Sequence, residues 1–254
     1  MAISLRSSGR PVQGVLPLDL GVSAEPLKTE YALVSMFSGC GGMDLGFVGG
    51  FTVFGRYYRS LPFRVVWANE LNAAACRTYR RNLGAEIICG DVWRVMDTMP
   101  GRADVLIGGF PCQDVSVNGK RVGINGKRTG LYRAMLEGIR RTHPRVFVAE
   151  NVKGLLMKHH HRAIHQVVED FEALGYTVTY RLYLAAHYGV PQTRERVFIV
   201  GTSADCKPFA APPRPRQKAL TAKQAISDLE KLGECPAINH VWSSCEQECW
   251  AGKQ

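Results

Sequence analysis

The chain of 254 residues carries 32 Lys and Arg against 22 Asp and Glu, a formal charge of +10, and 46% of it is hydrophobic. That apolar content supports a sizeable core in one large α/β domain, or one domain with a partial second, and excludes global disorder. The positive excess favours a polyanionic partner, nucleic acid or an anionic membrane surface, and no apolar run reaches the roughly 18 residues of a membrane-spanning helix.

Residues 1–30 are rich in Ser, Gly and Pro, show little periodicity and read as a loose arm. Short apolar runs then alternate with helical patterns. Strands are expected over 31–37 (YALVSMF), 63–69 (FRVVWAN), 85–89 (AEIIC), 103–108 (ADVLIG) and 145–149 (RVFVA), then over 177–184 and 195–201. The first five are near-continuous in Val, Ile and Leu, as strands covered on both faces should be. Helices are expected over 72–82, 130–142 and 161–174. In the last of these Ile164, Val167, Val168, Phe171 and Leu174 recur at helical spacing, and Gly175 supplies the stop. The alternation predicts a seven-stranded, mostly parallel sheet with right-handed crossovers. Only the Gly-Val-Pro turn at 189–191 separates the last two strands, which predicts an antiparallel hairpin at one edge. Beyond it, 206–218 (CKPFAAPPRPRQK) holds four prolines and four basic residues, a rigid, extended basic connection, and 221–232 reads as a helix. Eight cysteines with no signal peptide ahead of them read as mostly structural, reduced thiols of a cytosolic protein.

Phe37-Ser38-Gly39-Cys40-Gly41-Gly42 follows the first strand directly. Glycines at such a junction let the backbone turn tightly and approach a ligand closely; the plain alternative is a turn with no ligand. Glu70 ends the second strand 31 residues past Gly39, where a ribose-binding carboxylate belongs, and Asp91 follows the third strand, where it could accept from an adenine amine. Three such groups at successive strand ends point to an adenosine-bearing cofactor at the carboxyl edge of the sheet. The spacing is not GxGxxG and no Walker lysine follows, so NAD and ATP fall behind.

Cys112 lies just beyond the fourth strand. A buried core thiol is the commonest fate of a cysteine, but Gly108-Gly109 and Pro111 set an abrupt turn that would expose this one, as a nucleophile requires. Glu150 and Asn151 close the fifth strand, where a carboxyl group could exchange a proton with a substrate nitrogen. Alternation would turn Gln192, Arg194 and Arg196 one way at the entry to the last strand; alone, they would read as a solvated charge cluster. Between Ser116 and Leu131 the stretch VNGKRVGINGKRTG has four glycines and four basic residues, suited to closing over a phosphate-bearing substrate or to an ordinary surface loop. A thiol, an acid able to engage a ring nitrogen, an adenosine cofactor and a basic segment together suggest one-carbon transfer to a base. Thiolate attack at C6 of cytosine with N3 engaged makes C5 nucleophilic, and a base inside a duplex must leave the stack first.

These motifs resemble, in order, those of the DNA (cytosine-5) methyltransferase family. FSGCGG at 37–42 is similar to its cofactor motif, PCQDVS at 111–116 to its nucleophile motif, ENV at 150–152 to its acid motif and QTRER at 192–196 to its arginine motif. ANE at 68–70, GD at 90–91 and RTGL at 128–131 fill the intermediate positions. The resemblance implies an S-adenosylmethionine-dependent methyltransferase fold and release of S-adenosylhomocysteine. It implies a cofactor site of Phe37, Ser38, Gly39, Cys40, Gly41, Gly42, Glu70, Leu71, Asp91, Val92 and Pro111. Phe37 would pack on the adenine, Glu70 bind the ribose hydroxyls and Asp91 the adenine amine; many members carry an aromatic residue where this chain has Leu71. Cys112 would be the covalent nucleophile, Glu150 would hold N3 and the exocyclic amine, and Arg194 and Arg196 would support the base. Asn151 and Gln192 would give structural support, with Asn151 orienting the Pro111-Cys112 loop. Ser116, Lys120, Arg121, Lys127 and Arg128 would meet DNA.

The resemblance covers residues 31–202, expected to form the catalytic and cofactor-binding domain. Residues 203–254 are expected to be a basic connection and the start of an incomplete target recognition region. Either a second polypeptide completes a split enzyme or the gene is truncated; a catalytically silent DNA-binding relative and an RNA cytosine methyltransferase are the alternatives. Double-stranded DNA is the expected partner, with a cytoplasmic, nucleoid-associated location. Cys235, His240, Cys245 and Cys249 lack a tight CxxC knuckle, so no metal is expected there.

Overall fold

A computed structural model of the chain describes residues 29–53, 56–111, 130–157, 161–214 and 220–227. The elements run β1 (Tyr31–Met36), α1 (Gly42–Val48), β2 (Phe51–Val53), β3 (Arg56–Tyr58), β4 (Phe63–Glu70), α2 (Ala73–Leu83), β5 (Ile88–Cys89) and α3 (Val92–Val95). They continue with β6 (Val105–Gly108), α4 (Gly130–Thr142), β7 (Val146–Val152), α5 (His161–Glu172), β8 (Tyr176–Leu184), β9 (Glu195–Ser203) and α6 (Ala222–Ile226). Seven strands form one sheet in the order β5-β4-β1-β6-β7-β9-β8. Every pairing is parallel except those of β9, which runs antiparallel to β7 and to β8.

Apolar alternation explains the layering. Val34, Met36, Leu106, Phe147, Ala149 and Ile199 face one side of the sheet and pack with Met135 and Ile139 of α4 and Ile164 and Phe171 of α5. Leu33, Val105 and Ile107 face the other side, against Met43 and Phe47 of α1. Cys76 and Tyr79 of α2 close over Ala68 and Ile87 beside them. The central strands are buried on both faces, so their sequences show no polar alternation. The carboxyl ends of the parallel strands and the amino end of the antiparallel β9 arrive at one common edge, and the loops at that edge are where the functional groups gather.

Several boundaries differ from expectation. The third expected strand, 85–89, shrinks to Ile88–Cys89, because Gly84 ends α2 at φ +61° and Ile87 drops into the core beneath that helix. Between β8 and β9 the connection is Ala185–Arg194 and includes a 3-10 turn at Ala185–Tyr188, longer than the Gly-Val-Pro turn alone. The short hairpin β2–β3, held by stacking of Phe51 on Tyr58 at 4.9 Å between ring centroids, was not expected. Neither was α3, whose one-turn length gives no periodicity to read. Helix α5 stops at Glu172, and Gly175 takes φ +88° just after it. Thr221 and Gln224 form a capping box at α6. Residues 228–232 of that expected helix, most of the arm over 1–30, the prolines past 214 and the Cys/His set in the tail lie outside the described residues.

Candidate active site at the carboxyl edge

The turn after β1 is locked from below. Ser38 N–H donates to the Asn69 carbonyl at 2.9 Å, and the buried Asn69 side chain donates to the carbonyls of Ile88 and Gly90 at 3.0 and 2.9 Å. One asparagine thus fixes the relative heights of three strand ends. Within the turn Phe37 takes φ +54°, Gly39 +56° and Gly41 +89°. A phenylalanine in the left-handed region is strained, so the surrounding bonds must hold it there. Gly41 is obligatory for a second reason: a Cβ on it would collide with Leu83 and Tyr79 of α2. Gly39 and Gly42 differ, since a Cβ on either would meet nothing within 4 Å, leaving their backbone open to a ligand.

Glu70 ends β4 with both carboxylate oxygens engaged. Oε2 accepts from Gly39 N–H at 2.9 Å and Oε1 from Asn72 N–H at 2.8 Å, which fixes the carboxylate while leaving lone pairs for further donors. Leu71 beside it is 72% exposed. Asp91 accepts from Trp93 N–H at 2.9 Å and caps α3. The side chain of Val92, the first residue of α3, packs into the core with Met96 and Met99. A cavity of about 920 Å³ opens against the glycine turn, bounded by Phe37, Gly39, Cys40, Gly109, Glu150 and Arg196 among others. Its size is within the range of small-molecule sites, roughly 300–1,000 Å³.

Across that cavity stands the acid. Glu150 Oε1 pairs with Arg196 Nε at 2.8 Å and with Arg194 at 3.7 Å. All three side chains reach the cavity, although β9 begins only at Glu195, so strand alternation does not explain Arg194. Gln192 lies in the preceding turn, exposed, with its N–H on the Val190 carbonyl at 2.8 Å. Gly109 gives the acid room: a Cβ there would sit 3.2 Å from Glu150 Oε2. Asn151 is buried and donates from Nδ2 to the Phe110 carbonyl at 3.1 Å, tying β7 to the chain just before the exposed Pro111. Cys112, Ser116, Lys120, Arg121, Lys127 and Arg128 lie outside the described residues.

Behind the turn is a pair not singled out in the sequence. Tyr79 O–H donates to Asp44 Oδ1 at 2.8 Å with both residues buried, while Asp44 Oδ2 has no partner. Burial pushes the Asp44 carboxyl above its ordinary range, with the Tyr79 and Ser35 hydroxyls and its own N–H pulling back. Burial, then Asp44, pushes the Tyr79 phenol up. The available signal was Cys76, Tyr79 and Leu83 at helical spacing, which reads only as a core stripe. Among the described residues no group of three His, Cys, Asp or Glu could hold a metal ion, and no helix is long and apolar enough to cross a membrane.

A family model for C-5 cytosine-specific DNA methylase matches residues 31–249. The type II methyltransferase M.NgoFVII of Neisseria gonorrhoeae is 40% identical over 208 residues, covering 78% of this chain and 53% of that protein. M.FnuDI of Fusobacterium nucleatum is 38% identical over 173 residues, covering 68% of this chain and 47% of its own length. The chain therefore spans about half the length of these curated relatives. Among solved structures, a protein described as a DNA modification methyltransferase encoded within an E. coli prophage superposes with a TM-score of 0.62 at 23% identity, covering 85% of this chain and 58% of that one. The S. pombe Dnmt2 methyltransferase superposes at 0.56 and 17% identity, covering 88% and 67%. Both show the shared fold. With its ordered motifs, its strand-end acids and a family match spanning most of its length, the chain belongs to the C-5 cytosine-specific DNA methylase family.

Proposed function

We propose that the chain carries the catalytic half of a DNA (cytosine-5) methyltransferase, with residues 31–202 forming the catalytic and cofactor-binding domain. The observation that carries this reading is Glu150, held by Arg196 and Arg194 across a cavity from the glycine turn and opposite Gly109, three residues before Cys112. The cofactor fits the residues present. Open backbone at Gly39 and Gly42 leaves space for the amino-acid portion, and the fixed Glu70 carboxylate retains lone pairs for ribose hydroxyls. Asp91 stands one strand further on for the adenine amine. S-adenosylmethionine, when bound, supplies an electrophilic methyl group on a sulfonium.

The protein's own residues do the rest. Cys112 adds as a thiolate to C6 of an everted cytosine while the Glu150 carboxyl engages N3, so that C5 gains electron density and takes the methyl group. Loss of the C5 proton and departure of the Cys112 thiolate restore the ring. Arg196 and Arg194 keep Glu150 from swinging out of the cavity and place positive charge where negative charge develops on the base. Asn151, through the Phe110 carbonyl, sets the chain direction into Pro111. Ser116, Lys120, Arg121, Lys127 and Arg128 meet the phosphates.

The reading extends to a second polypeptide that reads the DNA sequence. What supports it is the apolar side of the cavity, where Val146, Val148 and Phe198 are half-buried and Phe209 is exposed. A cytoplasmic, nucleoid-associated location goes with the DNA substrate. The test is a covalent adduct with duplex DNA containing 5-fluorocytosine, with and without the product of the adjacent reading frame and with tRNA as a second substrate. An adduct on DNA that Cys112→Ala abolishes is expected; an adduct persisting in that variant would overturn the assignment.

A further inference from the structure

Two thiols outside the proposed chemistry meet directly beneath Glu70. Cys76, in the first turn of α2, donates to the Glu70 carbonyl at 3.4 Å, and Cys89, the last residue of β5, lies 3.9 Å from the Leu71 carbonyl. The two sulfurs thus lie against the carbonyls of successive residues, Glu70 and Leu71, close enough for Cys89 to raise the Cys76 thiol. Their exposures are opposite: Cys76 is fully buried and Cys89 exposed. A solvent-facing thiol beside a sheltered one is the arrangement in which an oxidant attacks the first and the second resolves it. Burial, reinforced by Cys89, pushes the Cys76 thiol up to about 11, so at neutral pH it stays protonated and the exposed Cys89 is the thiol a peroxide meets first.

We propose that Cys76 and Cys89 are a site of intramolecular disulfide formation by peroxide-class oxidants, and that the link weakens binding at the adjoining adenosine site. In the first step hydrogen peroxide transfers one oxygen to the Cys89 thiol, giving a sulfenic acid and one water. In the second the Cys76 sulfur displaces that hydroxyl, forming the S–S bond and releasing a second water. Two thiol hydrogens and two electrons pass to peroxide, so the atoms balance.

The mechanical consequence follows from what the thiols hold. Closing the sulfurs to bonding distance withdraws the Cys76 donor from the Glu70 carbonyl and draws Cys89 toward α2. Gly90 must follow, although its N–H is bonded to the Glu70 carbonyl at 3.0 Å and its carbonyl to Asn69 at 2.9 Å. Asp91 is the next residue. The link therefore moves the Glu70 and Asp91 stations relative to each other. This second half rests on the cofactor reading given above.

The test uses the full chain, treated with hydrogen peroxide, alkylated, cleaved with trypsin and mapped by mass spectrometry. Cys76 and Cys89 fall in separate peptides, 65–77 and 82–94. The expected product joins those two and is reversed by dithiothreitol. Cys89→Ser, a change at an exposed position, should fold normally, bind S-adenosylhomocysteine as the reduced wild type does and form no such product. The linked wild type should bind S-adenosylhomocysteine about threefold or more weakly, the scale of one lost hydrogen bond. Absence of the joined peptide, a link from either thiol to Cys40 instead, or unchanged affinity in the linked form would overturn the proposal. Failure of the reduced wild type to bind S-adenosylhomocysteine would defeat the cofactor reading, and with it the coupling, while the peptide map still decides the pairing.

Discussion

Tyr79→Phe isolates the hydrogen bond that fastens α2 to α1 behind the glycine turn. The substitution removes one hydroxyl and keeps the ring, so the apolar burial of Tyr79 against Ala68 and Ile87 is retained. Asp44 then loses the 2.8 Å donor on Oδ1, and its Oδ2 already has none. A buried bond to a group that can carry charge contributes about 1.5–3 kcal/mol, and that is the expected loss at neutral pH. The sign with pH can be worked out. Burial raises the Asp44 carboxyl above its unfolded value of 3.8, so its contribution to stability is fully present below pH 3.8 and fades as pH rises through the folded value. Tyr79 opposes that rise. Without it the folded value climbs further, so the variant's deficit should be small near pH 4 and grow toward pH 8. Urea unfolding at pH 4.5 and pH 8, with wild type alongside, reads both magnitude and slope. An equal deficit at the two pH values would refute the reasoning, because it would mean the tyrosine does not sense the carboxyl's charge.

Two further substitutions probe packing and the adenosine site. Gly201→Ala should destabilise the fold by about 1–3 kcal/mol in the same urea assay, because a Cβ there would overlap the buried Phe147 ring. Leu71→Phe should tighten S-adenosylhomocysteine binding about threefold by isothermal titration, since an exposed side chain next to Glu70 would gain a ring to stack on adenine; unchanged affinity would remove Leu71 from that site.

The strands were legible because their apolar runs are long and continuous, and Gly175 marked the end of α5 as expected. Local chemistry overrode pattern elsewhere. The run AEIIC contains a strand's composition, yet Gly84 in a left-handed conformation carries the chain off α2 so that only Ile88 and Cys89 reach β4. The FTV and RYY segments of the β2–β3 hairpin are three residues each, below the length at which alternation can be counted. Glu150 was placed at a strand end from sequence, but Arg196 meets it through the antiparallel pairing of β7 with β9 and Arg194 from the turn before β9, both non-local facts. Asp44 stayed silent because an acid in a first helical turn ordinarily reads as favourable helix chemistry. Its burial depends on Tyr79, 35 residues away.

Strain alone does not mark the site, and a second residue makes the point. His143 also has a positive φ, 42°, and it lies just past α4 with its N–H on the Ile139 carbonyl at 2.9 Å. That is the ordinary geometry of a helix ending in the left-handed region, satisfied by its own helix. Phe37 has no such local explanation. It leaves a strand rather than a helix, its ring borders the cavity, and the next residue is anchored through Asn69 to a neighbouring strand. The strain at Phe37 is therefore supported by tertiary contacts that also fix Glu70 and Gly90, so relaxing it would disturb three strand ends together. A strained residue whose restraints coincide with the supports of the site is what preorganisation requires, and His143 lacks that coincidence.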